Sequence, residues 1–203
     1  MIDIAFSVIF TVWDYPITWI ELIAVLFALF MVFCTIAEQH WGWAFAILSS
    51  ALYFLIFWAN RLYGDALLQL LFIALAAWGW WLWLSGAKQT PLKITQLTKR
   101  QRWNTIFIGL MLWAITGCVL LNFTDTDVPW WDAFPTAFSL VGQYLLAYKR
   151  LENWWAWCAV NLVATGLFVW KALWLTALLY MIFMAMSWVG MRAWRSRLNM
   201  EAA

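Results

Sequence analysis

The sequence predicts an all-α integral membrane protein with seven transmembrane helices, and its composition, its apolar runs and the physics of the bilayer support that fold class. Of its 203 residues, 67% are hydrophobic and only 11% are charged, whereas soluble domains average roughly 45–50% apolar and about 25% charged residues. Apolar runs close to the roughly 20 residues needed to cross a bilayer recur along the chain. Because lipid tolerates no unpaired backbone groups and these runs are too long for barrel strands, we expect them to be helices.

The predicted elements follow one another in a simple order. Residues 1–17 are expected to form a short interfacial helix broken at Pro16, and their acidic start at Asp3 argues against a removable signal peptide. We expect a first three-helix repeat at 18–84, a basic cytoplasmic loop with a linker helix at 85–121, a second three-helix repeat at 122–194 and a cytoplasmic tail at 195–203. The seven spans lie near 18–37, 41–59, 65–84, 103–121, 131–148, 154–170 and 172–193.

The basic residues predict the orientation of the chain. With the amino terminus outside, ten of the 12 lysines and arginines fall on the cytoplasmic side, and only Arg61 and Lys171 fall on the other. The positive-inside rule therefore predicts that the amino terminus is outside and the carboxyl terminus inside. The basic loop is then a membrane anchor at the lipid surface, and it gives no reason to expect nucleic acid as a partner.

The last three spans echo the first three. The pattern Glu-x-x-Trp-x-Trp occurs at 38–43 and again at 152–157, which aligns the second span with the sixth at an offset of 114 residues. Since one extra span and its loop lie between the triplets, both cross the membrane in the same direction, as a parallel repeat of three plus one plus three helices. Secondary transporters are often built from such repeats, with the substrate site between the halves.

Polar side chains of the fifth span lie on one helical face. Four of them are separated by four, three and four positions, which forms a stripe along the helix. At the 114-residue offset, three of the four counterparts in the first span are aliphatic. Polar groups in hydrocarbon mark functional sites, although hydrogen bonding between helices is the alternative explanation. The stripe consists of Asp132, Thr136, Ser139 and Gln143, and weaker candidates on the third and seventh spans are Gln69, Thr176, Tyr180 and Ser187.

The sixth span carries two indoles and an amide on one side of its helix. Trp154, Trp157 and Asn161 follow i, i+3, i+7 spacing. A cation over an indole face gains about 0.5–2 kcal/mol, and a carboxamide offers both donors and an acceptor. Many of the 20 tryptophans lie at span ends, where interfacial anchoring explains them, so the binding hypothesis depends most on Trp157 and Asn161. The counterparts at the 114-residue offset are His40, Trp43 and Ile47.

The sequence carries no signature of catalysis. Its three cysteines fall within spans without paired spacing, and its only histidine, His40, lies at a loop. An intramembrane enzyme would need a nucleophile with a base or a metal cluster, and ATP hydrolysis would need a phosphate-binding glycine loop. We therefore expect no enzymatic activity, no metal and no cofactor.

Taken together, these motifs resemble the PnuC family of nicotinamide riboside transporters over nearly the whole length of the chain. The resemblance implies a fold related to that of the SWEET sugar transporters, a homotrimer and a location in the bacterial inner membrane. It also implies a ligand held at the centre of each protomer by the sixth helix and its polar neighbours. The likeness is carried by Trp154-x-x-Trp157-x-x-x-Asn161, the segments 63–83, 129–133 and 152–154, and Thr136, Ser139 and Gln143.

The implied substrate is nicotinamide riboside, which has a cationic pyridinium ring, a carboxamide and a ribose. We expect Trp154 and Trp157 to contribute to an aromatic cage around the ring. Asn161 and Gln143 are expected to hydrogen-bond the ribose or the amide. Asp132 would attract the cation near the outer mouth, and the other cavity residues would be Thr136, Ser139, Gln69 and Tyr180.

The sequence also predicts how transport is driven. No carboxylate, lysine or arginine lies deep inside a span, and proton relays normally need such groups. We therefore expect facilitated diffusion, with trapping by a cytoplasmic riboside kinase that the resemblance implies. The alternatives are a channel, which saturable flux would exclude, and a transporter of the same fold for another vitamin such as thiamine.

Overall fold

The computed structural model describes residues 7–12, 15–59, 63–86, 91–124 and 126–202. These residues form seven helices, as the sequence predicts. The basic stretches that begin the fourth helix and end the seventh are helical too, so both helices extend beyond their predicted spans. The helices are α1 (Trp19–Ile36), α2 (Trp41–Ala59), α3 (Tyr63–Ser85), α4 (Lys99–Phe123), α5 (Pro129–Ala147), α6 (Asn153–Trp170) and α7 (Trp174–Ala202).

Five stretches of these helices are long and apolar enough, by length and composition, to cross a membrane. The two remaining helices are α5 and α6, which carry the polar stripe and the aromatic motif. Their polar side chains lower their apolar content, so the helices of the predicted site are the ones that composition alone does not pick out. The five stretches are Trp19–Ile36, Trp41–Ala59, Ala66–Ser85, Lys99–Phe123 and Trp174–Met200.

The short interfacial helix predicted for residues 1–17 is wrong where the structure describes that segment. Strand β1 (Val8–Val12) pairs antiparallel with strand β2 (Tyr15–Thr18), with Val12 opposite Tyr15. The run Val-Ile-Phe-Thr-Val is rich in β-branched and aromatic residues, whose side chains fit a pleated strand better than a helix. Residues 1–6, 13 and 14 lie outside the described part.

Two helices begin with a capping box, which explains where they start. Before α1, the Thr18 hydroxyl accepts from the Glu21 N–H at 3.4 Å, and the Glu21 carboxylate accepts from the Thr18 N–H at 2.9 Å. Thr98 and Gln101 make the same reciprocal pair before α4. Each box satisfies two backbone donors that a helix start leaves unpaired. The cap at Thr98 is therefore why α4 begins at Lys99, four residues before its apolar span.

The chain divides into two compact units, residues 1–89 and 90–203. In the first unit, α1 packs on α2 and α2 on α3. In the second, α4 packs on α5, α5 on α6 and α6 on α7. Each described pair of packed helices is thus consecutive in sequence, joined by a short turn or loop.

The turns after α1 and after α5 have the same backbone geometry, 111 residues apart. Glu38 and Lys149 adopt the left-handed conformation, with φ of 58° and 49°. The next N–H donates to the carbonyl five positions back in both turns, which satisfies a carbonyl at the helix end in the pattern of a Schellman motif. These bonds run from Gln39 to Cys34 at 2.8 Å and from Arg150 to Leu145 at 2.8 Å.

In the first unit, an indole of α2 wedges against a glycine of α3. A Cβ on Gly79 would lie 2.4 Å from Cη2 of Trp43, so only glycine leaves room for that ring. The Trp43 ring also meets Trp83 edge-on, with centroids 5.6 Å apart. This wedge fixes how closely α2 and α3 approach.

The second unit repeats the wedge between α6 and α7. A Cβ on Gly190 would lie 2.5 Å from Cη2 of Trp154, which meets Trp194 edge-on at 5.4 Å between centroids. All three residues lie 111 positions after their counterparts in the first unit. The 114-residue offset used to align the sequence is therefore wrong here, because it pairs Trp154 with His40 instead of Trp43.

Candidate substrate-binding site

The half of the predicted polar stripe nearer the carboxyl end of α5 is buried. Ser139 and Gln143 are each only 8% exposed. No group in the described part of the chain hydrogen-bonds to the Ser139 hydroxyl or the Gln143 amide. Their hydrogen-bonding capacity is therefore available to a polar ligand.

The half of the stripe nearer the amino end of α5 makes contacts within the protein. The Thr136 hydroxyl donates to the backbone carbonyl of Asp132 at 3.2 Å, one helical turn earlier. The Asp132 carboxylate accepts from the Thr126 hydroxyl, and its other oxygen lies 3.7 Å from Nζ of Lys171 at the end of α6. Asp127 also approaches Lys171, at 3.8 Å. Two carboxylates beside one ammonium leave net negative charge at this end of the helices.

Trp157 of α6 lies against the backbone of α5 at Gly142. A Cβ on Gly142 would lie 3.2 Å from Cε2 of the Trp157 indole and 3.4 Å from its Nε1. Gly142 directly precedes Gln143 in the chain. The nitrogen edge of the indole therefore packs on the α5 backbone next to Gln143.

Trp154 faces a different helix. It is 2% exposed, its ring is wedged between Gly190 and Trp194 of α7, and its buried Nε1 has no partner among the described residues. Trp154 and Trp157, although three residues apart, thus pack against different neighbours. A direct role for Trp154 in an aromatic cage stays a prediction, and its observed role is to hold α6 against α7.

Asn161 lies one helical turn beyond Trp157 and is 5% exposed. Its amide Nδ2 donates to the Ser187 hydroxyl of α7 at 3.3 Å, and Ser187 donates to the Phe183 carbonyl at 2.8 Å. The Thr165 hydroxyl donates to the backbone carbonyl of Asn161 at 2.7 Å. The amide is therefore held by α7 on one side.

The remaining predicted residues make other contacts or lie in the first unit. Tyr180 packs its ring on Phe168 at 5.1 Å and edge-on against Phe183 at 6.0 Å. Gln69 lies on α3 in the first unit, with a half-buried side chain. Their roles as cavity residues stay predictions.

Two glycines on which tryptophans of α6 pack are not identified by the sequence pattern. Gly142 admits the Trp157 ring, and Gly190 admits Trp154. A signal was present in the sequence, since Gly142 directly precedes Gln143 and Gly190 follows Ser187 by three positions. The sequence pattern also does not identify Lys171, whose position at the end of α6 brings it beside Asp132 only after the helices pack.

The 111-residue offset sharpens the difference between the two units. The counterparts of Trp157 and Asn161 on α2 are Ala46 and Ser50, so the first unit has neither the free indole nor the amide. The structural wedge is duplicated, whereas the candidate binding groups are specific to the second unit.

Residues 18–196 match the family model of nicotinamide mononucleotide transporters. The chain belongs to this family. As a family member with several helices able to span a membrane, it is a multi-pass membrane protein, and the resemblance to PnuC seen in the sequence is confirmed.

Several named proteins are similar to this chain at modest sequence identity. The nicotinamide riboside transporter PnuC of Escherichia coli is 25% identical over 206 residues, covering 89% of this chain and 86% of that protein. The riboflavin/roseoflavin transporter RibM of Streptomyces davaonensis is 28% identical over 200 residues, covering 93% and 91%. The fold is similar to the crystal structure of a vitamin B3 transporter, PnuC, with a TM-score of 0.70, 22% identity and coverage of 88% of this chain and 81% of that one.

Proposed function

We propose that this protein takes up nicotinamide riboside by facilitated diffusion. The observation that carries the proposal is its membership of the nicotinamide mononucleotide transporter family over residues 18–196. The E. coli relative that bears the name nicotinamide riboside transporter aligns over 89% of this chain. The buried, unpartnered groups of Ser139 and Gln143 support a polar ligand, because a polar solute leaving water needs new hydrogen-bond partners.

The substrate has a matching partner for each of its groups. The cationic pyridinium ring lies against the indole of Trp157, where a cation–π contact contributes about 0.5–2 kcal/mol. The ribose or the carboxamide hydrogen-bonds to Gln143, Ser139 and Asn161. The net negative charge around Asp132 attracts the cation before it reaches these groups. Thr136 and Tyr180 complete the cavity, and Trp154 contributes to the cage or supports it from behind.

The proposed topology is three plus one plus three helices, as in the SWEET transporters, with the amino terminus outside and the carboxyl terminus inside. The tryptophan wedge that recurs 111 residues apart supports the repeat. The distribution of lysine and arginine supports the orientation. The protein is proposed to act as a homotrimer in the bacterial inner membrane, with a cytoplasmic kinase that phosphorylates the riboside after entry.

A binding titration on the purified protein tests the site. Trp157→Ala and Asn161→Ala should each weaken nicotinamide riboside binding by about tenfold, the effect of losing one to two hydrogen bonds or a stacked ring. Trp155→Ala is the matched control, because Trp155 lies on the same helix, is 54% exposed and packs on Trp188. Affinities for both site variants within about twofold of the unmodified protein would contradict the placement of the ligand.

The second candidate function is transport of a different vitamin by the same site. RibM, at 28% identity over 93% of this chain, is named for riboflavin, which is also a flat ring system with hydroxyl groups. Competition of riboflavin, thiamine and free nicotinamide against nicotinamide riboside separates these ligands. Tighter binding of riboflavin or thiamine than of nicotinamide riboside would favour this second function.

A further inference from the structure

The hydroxyl hydrogen of Ser187 is used in a hydrogen bond within α7. Ser187 is 3% exposed, and its Oγ lies 2.8 Å from the Phe183 carbonyl one turn earlier on α7. A carbonyl only accepts, so the serine must donate its single O–H to that group. The serine oxygen is therefore left with lone pairs, and it can act towards α6 only as an acceptor.

This commitment decides which end of the Asn161 amide faces α7. Only the NH2 group of Asn161 can donate to Ser187, and Nδ2 lies 3.3 Å from the serine oxygen. Placing the amide oxygen there would set two acceptors against each other. The orientation of the amide is thus fixed by the hydrogen-bond chain from Phe183 through Ser187.

The opposite end of the amide is free. No group in the described part of the chain donates to Oδ1 of Asn161. The Thr165 hydroxyl is occupied with the Asn161 backbone carbonyl at 2.7 Å. The side-chain oxygen of this largely buried residue, on the same side of α6 as Trp157, is therefore presented as an acceptor.

We propose that Ser187 is a positioning residue that holds the Asn161 amide with its oxygen towards the substrate, so that this subsite selects a hydrogen-bond donor. The inference rests on the proposed function. Donors of the required kind on nicotinamide riboside are its ribose hydroxyls and its carboxamide NH2 group. A ligand that offers only an acceptor at this point leaves two acceptors facing each other, which is unfavourable in a buried site.

The pair formed by Asn161 and Ser187 is specific to the second unit. At the 111-residue offset, Asn161 corresponds to Ser50 and Ser187 corresponds to Ala76, which is buried at 1% exposure. Neither the amide nor the serine that orients it is present there. The pair is therefore no requirement of the repeated helix packing, which the tryptophan wedge supplies in both units.

The test is a double-mutant cycle on the full-length protein, read as the dissociation constant for nicotinamide riboside. Ser187→Ala should weaken binding by about three- to tenfold, and Asn161→Ala by about tenfold. If Ser187 acts through Asn161, adding Ser187→Ala to Asn161→Ala should cause no further loss. The same loss in both backgrounds, or no loss from Ser187→Ala in a protein that Asn161→Ala weakens, would overturn the inference.

Ser49→Ala is the matched control for removing a buried serine. Ser49 is 6% exposed and donates to the Ala24 carbonyl at 2.9 Å in the first unit. It should lower the melting temperature about as much as Ser187→Ala and leave the dissociation constant unchanged. Failure of the unmodified protein to bind nicotinamide riboside would instead contradict the proposed function, so the two failures are distinguishable.

Analogues that each lack one donor test the predicted chemistry. They are 3-acetylpyridine riboside, in which a methyl group replaces the amide NH2, and the deoxyribosides, each without one hydroxyl. For the analogue that lacks the donor bound by Oδ1, Asn161→Ala should cause no further loss of affinity. An equal loss for every analogue would contradict the assignment of the oxygen as the acceptor.

Discussion

Trp154 and Trp157 show how two like residues on one helix acquire different roles. Trp154 fills a notch over Gly190 and is 2% exposed, whereas Trp157 lies on the backbone at Gly142. The first indole has a counterpart in the other unit, and the second has none. The duplicated residue is therefore structural, and the unduplicated one is the stronger candidate for ligand binding.

A side chain added at Gly190 should displace Trp154 and weaken binding at the candidate site, although Gly190 is not one of the proposed ligand contacts. Gly190→Ala introduces a Cβ 2.5 Å from the Trp154 ring, and overpacking of this kind costs about 1–3 kcal/mol. We expect a lower melting temperature in detergent and weaker riboside binding, because α6 also carries Trp157 and Asn161. Gly79→Ala should lower the melting temperature similarly, since its Cβ would lie 2.4 Å from Trp43.

Gly166 supplies the control for that prediction. It lies on α6 and a Cβ there meets nothing within 4 Å. Gly166→Ala should leave binding unchanged and slightly raise the melting temperature, because alanine favours a helix by about 1 kcal/mol over glycine. A Gly190→Ala protein as stable and as tight-binding as Gly166→Ala would show that the wedge does not position α6.

At the scale of elements, a strap ties α4 to the turn between α5 and α6. The strap comprises residues 94–98, before α4. Thr95 donates its N–H to the Lys149 carbonyl at 3.1 Å and accepts from the Leu151 N–H at 2.9 Å. The Glu152 carboxylate accepts from the Leu97 N–H at 3.1 Å and from Arg102 Nε at 2.9 Å. The strap therefore fastens α4 to the residues where α6 begins.

Glu152 and Arg102 should contribute unequally to this strap. The Glu152 side chain is 15% exposed and that of Arg102 is 48% exposed. Glu152→Ala leaves the Leu97 N–H without its partner, at a cost of about 1.5–3 kcal/mol, whereas a half-exposed ion pair contributes about 0–1 kcal/mol. Thermal unfolding should show a clearly larger loss for Glu152→Ala than for Arg102→Ala, and equal losses would mean that the ion pair dominates.

The helices were predictable from the sequence because lipid leaves the backbone little choice, and each apolar run could only be a helix. The strap and the hairpin were not. The strap depends on a 55-residue separation between Leu97 and Glu152, which no local pattern reports. The hairpin differs from the predicted interfacial helix because its apolar residues are largely β-branched, which favours strands.

The candidate site was only partly predictable for the same reason. Helical spacing grouped Ser139 with Gln143 and Trp157 with Asn161. It could not reveal that Thr136 is occupied with its own helix or that Asp132 lies beside Lys171. The alignment offset was wrong because the Glu-x-x-Trp-x-Trp pattern matches at 114 residues while the packed glycines and tryptophans match at 111.

At the scale of the whole molecule, the carboxylates and the histidine of the described residues lie at or near helix ends. Glu21 caps the start of α1, Asp132 lies in the first turn of α5 beside Lys171, and His40 lies in the turn before α2. The candidate binding groups within the helices are amides, hydroxyls and indoles. Proton coupling normally uses a carboxylate or histidine inside the membrane, so we predict that neither protons nor sodium ions drive transport.

Counterflow in liposomes tests this prediction, provided that the membrane potential is held at zero. Nicotinamide riboside is itself a cation, and 100 mV acts on one charge with about 2.3 kcal/mol, so a potential alone would bias uptake even in a carrier without ion coupling. With potassium and valinomycin clamping the potential, labelled riboside should exchange at the same saturable rate with or without proton and sodium gradients. Under the same clamp, uptake that stops when either gradient is collapsed would establish coupling, because the substrate's own charge then supplies no driving force.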